Sequence, residues 1–417
     1  MGSVSASFRD YIPPRDTPRS QQLRASNTYQ WCSYRCAESF MIDWIESWKM
    51  LLDAPYMGIS ADGRVDPAVH QLAKEGEDLG APVKLMVEAA KKIMSLASPS
   101  ELTAMCLPLD ADEWRSWINP EIYVFRHGVR LEEVSQQLIV AIQGLLQASL
   151  SPSGYAKARL CMRINGFLGK VVQGEKVLNE NSYNFTIFGT PSEKEPWGWQ
   201  LFGHHLCMNC LIIGQQMVIS PVFMGAEPNI IDEDSESGTE IFTEQEAAGL
   251  AIMASLEEAM RAQVLVTTDL SCSTLPHWRY HRADQRHLGG AFQDNRTIPY
   301  EGALVSTFSP SQQELVRHVI RLSLDYLPAG ALRARMADVD EHWTETYFAW
   351  IGECQIGDVF YYSVHSPVVF LEFDHHSGVF LSNKGPMPFH IHTLVRTPNG
   401  NDYGKELIRQ YRKRRQV

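Results

Sequence analysis

The chain has 417 residues, 44% hydrophobic and 21% charged, which suits a folded protein with one large core or two ordinary ones. Its 37 basic and 49 acidic residues leave a net charge of -12, which argues against a nucleic-acid binder. No apolar run is long enough to cross a membrane, the N-terminal stretch lacks the apolar region of a secretory signal, and eight cysteines are too few for a disulfide scaffold. The expectation is a cytoplasmic protein with neither a membrane nor a nucleic-acid partner.

Residues 1–28 read as a partly flexible N-terminal arm. Apolar residues at three- and four-residue spacing then predict a helix over "YQWCSYRCAESFMIDWIESWKMLL", Tyr29 to Leu52. A second helix follows Pro82, and Ser100 is placed to cap a third in "PSELTAMCL". "LEEVSQQLIVAIQGLLQASL", Leu131 to Leu150, is the clearest helix; "SPSG" ends it and begins another.

Near residue 182 the texture changes to β-branched and aromatic runs broken by glycine and proline. "SYNFTIFGTP" and "WGWQLFGHHLCMNCLIIGQQMVISPVFMGAEP" read as strands. Asp232 to Glu240 is an acidic loop, and helices are expected over Thr243 to Val264 and Ser309 to Leu327. "TETYFAWIGE", "DVFYYSVHSPVVFLEFDHH" and "FHIHTLVRT" read as an antiparallel meander. "YRKRRQV" is a solvated basic tail within residues 405–417, and no internal repeat is visible. The expected class is α+β: a helical N-terminal half (29–180) packed on a mainly antiparallel sheet from the C-terminal half (181–404). Residues 29–417 are taken as one domain.

Twelve of the fourteen histidines fall between residues 204 and 392. Alternation along a strand puts His390 and His392 on one face, with Phe389 and Ile391 on the other. The same rule groups Glu372 with Asp374. If these strands pair, two imidazoles and a carboxylate could form a facial metal site suited to iron or zinc. The alternative is a solvent-facing polar strip. His204 and His205 offer a third imidazole, at most one of them reaching the site if they lie on a strand. Arg396 extends the His390 face and could hold a substrate carboxylate, or could form a salt bridge to Asp402 or Glu372. In the glycine-rich loop from Gln285, Arg296, Tyr300 and Glu301 could line a pocket mouth; Arg282 and Arg286 read as solvated. Cys207-x-x-Cys210 lies in an apolar run and reads as two buried thiols rather than a zinc knuckle. No P-loop, dinucleotide fingerprint or GxSxG elbow is present.

"GHHLCMN", "VFMGAEP", "FAWIG", "FYYSVHSPVVFLEFD" and "HIHTLVRTPNGNDYG" together resemble the family called domain of unknown function 3500. The resemblance runs from about residue 120 onward and implies no assigned activity. Fungal members look like companions of specialised-metabolite pathways. The expected function is a metal-dependent enzyme, an oxidoreductase before a hydrolase, acting on a small organic molecule, an anionic one where Arg396 holds its carboxylate. His204, His205, His390 and His392 are its expected metal residues, Glu372, Asp374 and Arg396 its catalytic residues, and Arg296 and Tyr300 its substrate contacts. A metal-free histidine–carboxylate enzyme and a binding protein with a structural histidine strip are the alternatives.

Overall fold

A computed structural model describes residues 7–415. Twelve strands form one large, mainly antiparallel sheet, and the chain is α+β. At the sheet's centre, Gln216–Ala226 pairs antiparallel with the histidine strand Pro386–Arg396. Each is the last strand of a four-stranded meander. The first meander runs Tyr183–Gly189, Trp197–Gly203, Leu206–Ile213 and Gln216–Ala226. The second runs Tyr347–Gly352, Phe360–His365, Phe370–Ser377 and Pro386–Arg396.

The same connectivity leads into both meanders. A short helix (Pro99–Met105; Glu258–Val264) enters a short strand (Cys106–Leu107; Leu265–Thr267) that pairs parallel to the meander's first strand. A loop returns as a two-residue antiparallel strand (Val129–Arg130; Ala303–Leu304). A 3-10 turn and two helices follow: Gln136–Ser149 and Pro152–Val172 in one half, Pro310–Ser323 and Ala329–Glu341 in the other. The fold is therefore one unit used twice, which corrects the expectation of no repeat. A core constrains apolar pattern and volume more than residue identity, so two copies can diverge past recognition while keeping their connections.

Several helix ends move for local reasons. The helix expected over Tyr29 to Leu52 is two, Thr28–Cys36 and Ser39–Asp53, because Glu38 is extended between them. Extended Leu256 likewise divides Thr243–Ser255 from Glu258–Val264. Ser98, not Ser100, caps Pro99–Met105, and Glu101 reaches back to complete a capping box. The basic tail is a helix, Lys405–Arg415, whose Arg412 and Arg415 pair with Asp110 and Glu195. Residues 7–25 form a 3-10 turn and a helix, and Arg9 pairs with Asp232 and Glu233 of the acidic loop.

Both faces of the sheet are covered. Phe389, Ile391 and Val395 of the histidine strand face the core beneath Val83–Leu96, Gln136–Ser149, Pro152–Val172 and Pro310–Ser323. Leu394 faces a second core with Phe223, Phe370, Trp48, Trp117 and Tyr403. That second face is roofed by Ser39–Asp53, Lys405–Arg415 and the loop around Leu288–Phe292. His390 and His392 belong to it, at 0% and 4% exposure, so the alternative of a solvent-facing strip does not hold.

Candidate metal centre

His390 and His392 do share a face, as alternation requires, and they meet a third imidazole from far upstream. His205 lies in the two-residue turn between Trp197–Gly203 and Leu206–Ile213, so it is not on a strand. Its φ of 60° places it in the left-handed region. Its backbone N–H donates to Asn119 O and its carbonyl accepts from Gly225 N, which fixes the turn over the end of Gln216–Ala226. Gly225 stands directly opposite His392. A Cβ there would lie 2.9 Å from the His392 ring and 3.1 Å from the His205 ring, so only glycine lets both rings converge.

The three Nε2 atoms lie 3.0, 3.2 and 3.3 Å apart. A metal bound by nitrogens at about 2.0–2.1 Å sets them about 2.9 Å apart at right angles and about 3.3 Å apart at tetrahedral angles. The observed spacing fits three ligands on one side of an ion. Hydrogen bonding fits it less well. Each Nε2 is either a donor or an acceptor, so two of the three must be alike and face each other. A cation shared by three lone pairs satisfies all of them. Burial pushes His205, His390 and His392 well below the ordinary imidazole range, which keeps the rings neutral, each with one nitrogen lone pair to offer.

The surroundings are polar and ordered. His390 Nδ1 is buried without a hydrogen-bond partner, and the nearest carboxylate oxygen, Glu227 Oε1, stands 3.8 Å away, beyond hydrogen-bond distance. Glu227 accepts backbone N–H bonds from Val379, Phe380 and Leu381. Burial raises Glu227 to about 7 against the pull of those amides. His376 packs 4.3 Å from the His392 ring, but its nitrogens face Ser377 O and Ala283 O, so it forms a wall and is not a fourth ligand in this arrangement. His287 lies 5.6 Å from the His392 ring, and its Nδ1 is 3.4 Å from Glu372 Oε2. Burial opposes a charge on His287, but the Glu372 carboxylate outweighs it and raises the imidazole above its ordinary value.

The expected residues divide. His204 stands outside the three-nitrogen group: its Nδ1 meets Asn165 Oδ1 at 2.8 Å, and its ring stacks on His205 at 3.9 Å. Asp374 lies opposite His392 but is held bidentately by Arg286, at 2.6 and 3.0 Å. Arg286 is 1% exposed, which corrects its reading as a solvated residue. Arg282 lies over the Phe40 ring. Glu372 accepts from Leu288 N, Gly289 N and Tyr361 Oη. Burial pushes Glu372 up, but His287 and those amides bring it below the usual carboxylate range. Neither carboxylate is free to complete the site, so the expected group of His390, His392 and one of the His204–His205 pair, which is His205, stands without Glu372 or Asp374.

Arg396 takes the salt-bridge alternative. It is buried and donates to Asp294, Asp402, Gly289 O and Gly290 O, which leaves little to offer a substrate. Arg296 donates to Leu288 O and Trp278 O, and Glu301 pairs with Arg279. Tyr300 stacks on Tyr347 and tilts onto His365. Cys207 and Cys210 are buried thiols on opposite faces of one strand, in separate cores. A cavity of about 430 Å³, lined by His70, Lys74, Tyr326, Arg335 and Thr397 among others, includes none of the three histidines.

Sequence reasoning missed Glu227, Gly225, His287 and His376. His376 was within reach, since it continues the Glu372 and Asp374 alternation. Glu227 carries no local signal beyond standing before Pro228. The described residues hold no helix long and apolar enough to cross a membrane. No curated protein and no solved structure matches the chain. Residues 79–405 match the family described as Protein of unknown function (DUF3500), most of the chain, and the protein belongs to that family.

Proposed function

We propose that this protein is a metal-dependent enzyme acting on a small organic molecule, and an oxidoreductase. The carrying observation is the convergence of three buried Nε2 atoms within 3.3 Å of one another. His205, His390 and His392 would hold one divalent ion, iron or zinc, from one side. The reading requires open positions on the ion's other side for a substrate or a small co-reactant. Glu227 would orient His390 by closing its 3.8 Å gap to Nδ1, His204 stacks behind His205, and Gly225 makes the space. An ion held there supplies Lewis acidity, and iron also supplies redox chemistry.

Burial favours the oxidoreductase reading. A site shielded from bulk water protects reactive oxygen chemistry from side reactions. His287, backed by Glu372, stands beside the His392 ring and is placed to hold or pass a proton at its Nε2. The second reading is a zinc hydrolase. It is favoured by the lack of a free carboxylate near the ligands, since three neutral imidazoles leave the ion its full charge and strengthen it toward bound water.

The test is anaerobic reconstitution with ferrous iron, followed by nitric oxide as a probe of open positions. The reading expects one nitrosyl-type paramagnetic signal per chain, abolished in His392→Ala. A protein that takes up iron but gives no such signal has a closed, structural site, and the enzymatic reading falls. Zinc retained on purification in preference to iron moves the assignment to the hydrolase.

A further inference from the structure

The sulfurs of Cys32 and Cys36 face each other at 3.8 Å across the last turn of Thr28–Cys36. The two thiols differ in environment. Cys32 is buried against Tyr123, whereas Cys36 is the last residue of the helix and is half-buried. Arg35 lies beside Cys36, with its own guanidinium shared between Glu38 and Glu121. Arg126 is the other cation near the pair.

We propose that Cys32 and Cys36 form a thiol-redox site, with Cys36 the peroxide-reactive thiol and Cys32 the resolving thiol. The Cys36 thiolate attacks one oxygen of hydrogen peroxide, giving Cys36 sulfenic acid and releasing hydroxide. The Cys32 thiol then displaces the sulfenic oxygen as water, closing the disulfide. Peroxide is the two-electron oxidant, and both sulfurs are oxidised by one electron each.

Charge and geometry support the assignment of roles. The hydrogen bond the two sulfurs share, assisted by Arg35, holds Cys36 below the ordinary thiol range, against burial and the carboxylates of Glu121 and Glu38. Cys32 is pushed up, by the same hydrogen bond and by burial. A low thiol that solvent reaches, next to a higher partner, is the arrangement of a peroxide-sensing pair. Residues four apart on a helix hold their Cβ atoms about 5–6 Å apart, whereas a disulfide wants about 4 Å. Closure must therefore tighten the terminal turn. A bond strained this way is readily reduced, as a reversible switch requires.

Trypsin makes the test direct, because it cleaves after Arg35, between the two cysteines. The full chain is treated with submillimolar hydrogen peroxide, alkylated, digested and weighed. The expected product is Ala25–Arg35 joined to Cys36–Lys49, two hydrogens lighter and separated by mild dithiothreitol. Cys32→Ser should instead accumulate a sulfenic acid at Cys36 that dimedone traps. Cys36→Ser should leave Cys32 reduced. Circular dichroism checks that both variants fold. The proposal is overturned if no linked peptide forms while other cysteines oxidise, or if Cys32 reacts equally in Cys36→Ser. Overoxidation of Cys36 with Cys32 still free also overturns it.

Discussion

His390 presents its two ring nitrogens to different partners: Nε2 meets His205 and His392, and Nδ1 faces the buried Glu227 carboxylate at 3.8 Å. That distance is beyond a hydrogen bond, so any hold of Glu227 on the ring is electrostatic. Glu227→Gln keeps an acceptor for the Val379, Phe380 and Leu381 amides but removes the charge behind the imidazole. It is expected to weaken metal binding about 10–100-fold, with the fold retained. Competition against a chromophoric chelator measures this, and unchanged affinity would show that Glu227 serves only its loop.

Gly225→Ala tests the convergence itself. The added methyl meets the rings of His392 and His205 and also Ile391 O, at 3.0 Å. Overpacking of this kind costs about 1–3 kcal/mol of stability. The account expects that loss together with reduced metal occupancy. Full occupancy in the folded variant would mean that the rings need not sit as close as described.

Arg396 separates structure from chemistry. It is fully buried between Asp294 and Asp402, so Arg396→Ala strands two carboxylates. A destabilisation of about 3–5 kcal/mol is expected in chemical denaturation, with metal stoichiometry unchanged in whatever remains folded. Loss of metal from a normally stable Arg396→Ala would return the residue to the site.

Acid should destabilise the metal-free protein. Burial holds His70, His204, His375 and His376 near 4 and His365 near 3. The unfolded chain takes up these protons below about 6.5, and the folded chain does not, so stability falls as pH drops from there toward 4. Glu227 and Glu246, both raised to about 7 by burial, act in the opposite sense between 7 and 4.5. Glu301, Asp338, Asp402 and His287 are raised too and act in that same sense, but burial also lowers His127, His205, His390 and His392, so nine lowered histidines outnumber six raised groups. A chelated sample should therefore melt lower at about pH 5 than at about pH 7.5. Equal or higher melting in acid would contradict the burial of neutral histidines.

The sequence carried much of this because alternation is strict. His390-Ile391-His392 had to divide between two faces, and the strand period placed Glu372 with Asp374. What it could not carry was convergence. His205 reaches the site from a turn in a left-handed conformation, which a strand reading of "GHHL" excludes. Arg286 looked free because no local signal shows a carboxylate from a distant strand; for Arg396 the Asp402 partner was legible six residues on, whereas Asp294 was not. The internal repeat was hidden for the same reason: it lives in pairings and connections, not in residue identities.

The central claim is tested most directly by the metal content of untagged protein purified without added metal. The account predicts about one iron or zinc per chain, lost in His205→Ala and in His390→Ala with His392→Ala, while circular dichroism shows the fold intact. A wild-type protein that is metal-free, and that takes up neither ferrous iron nor zinc when offered them, would contradict it.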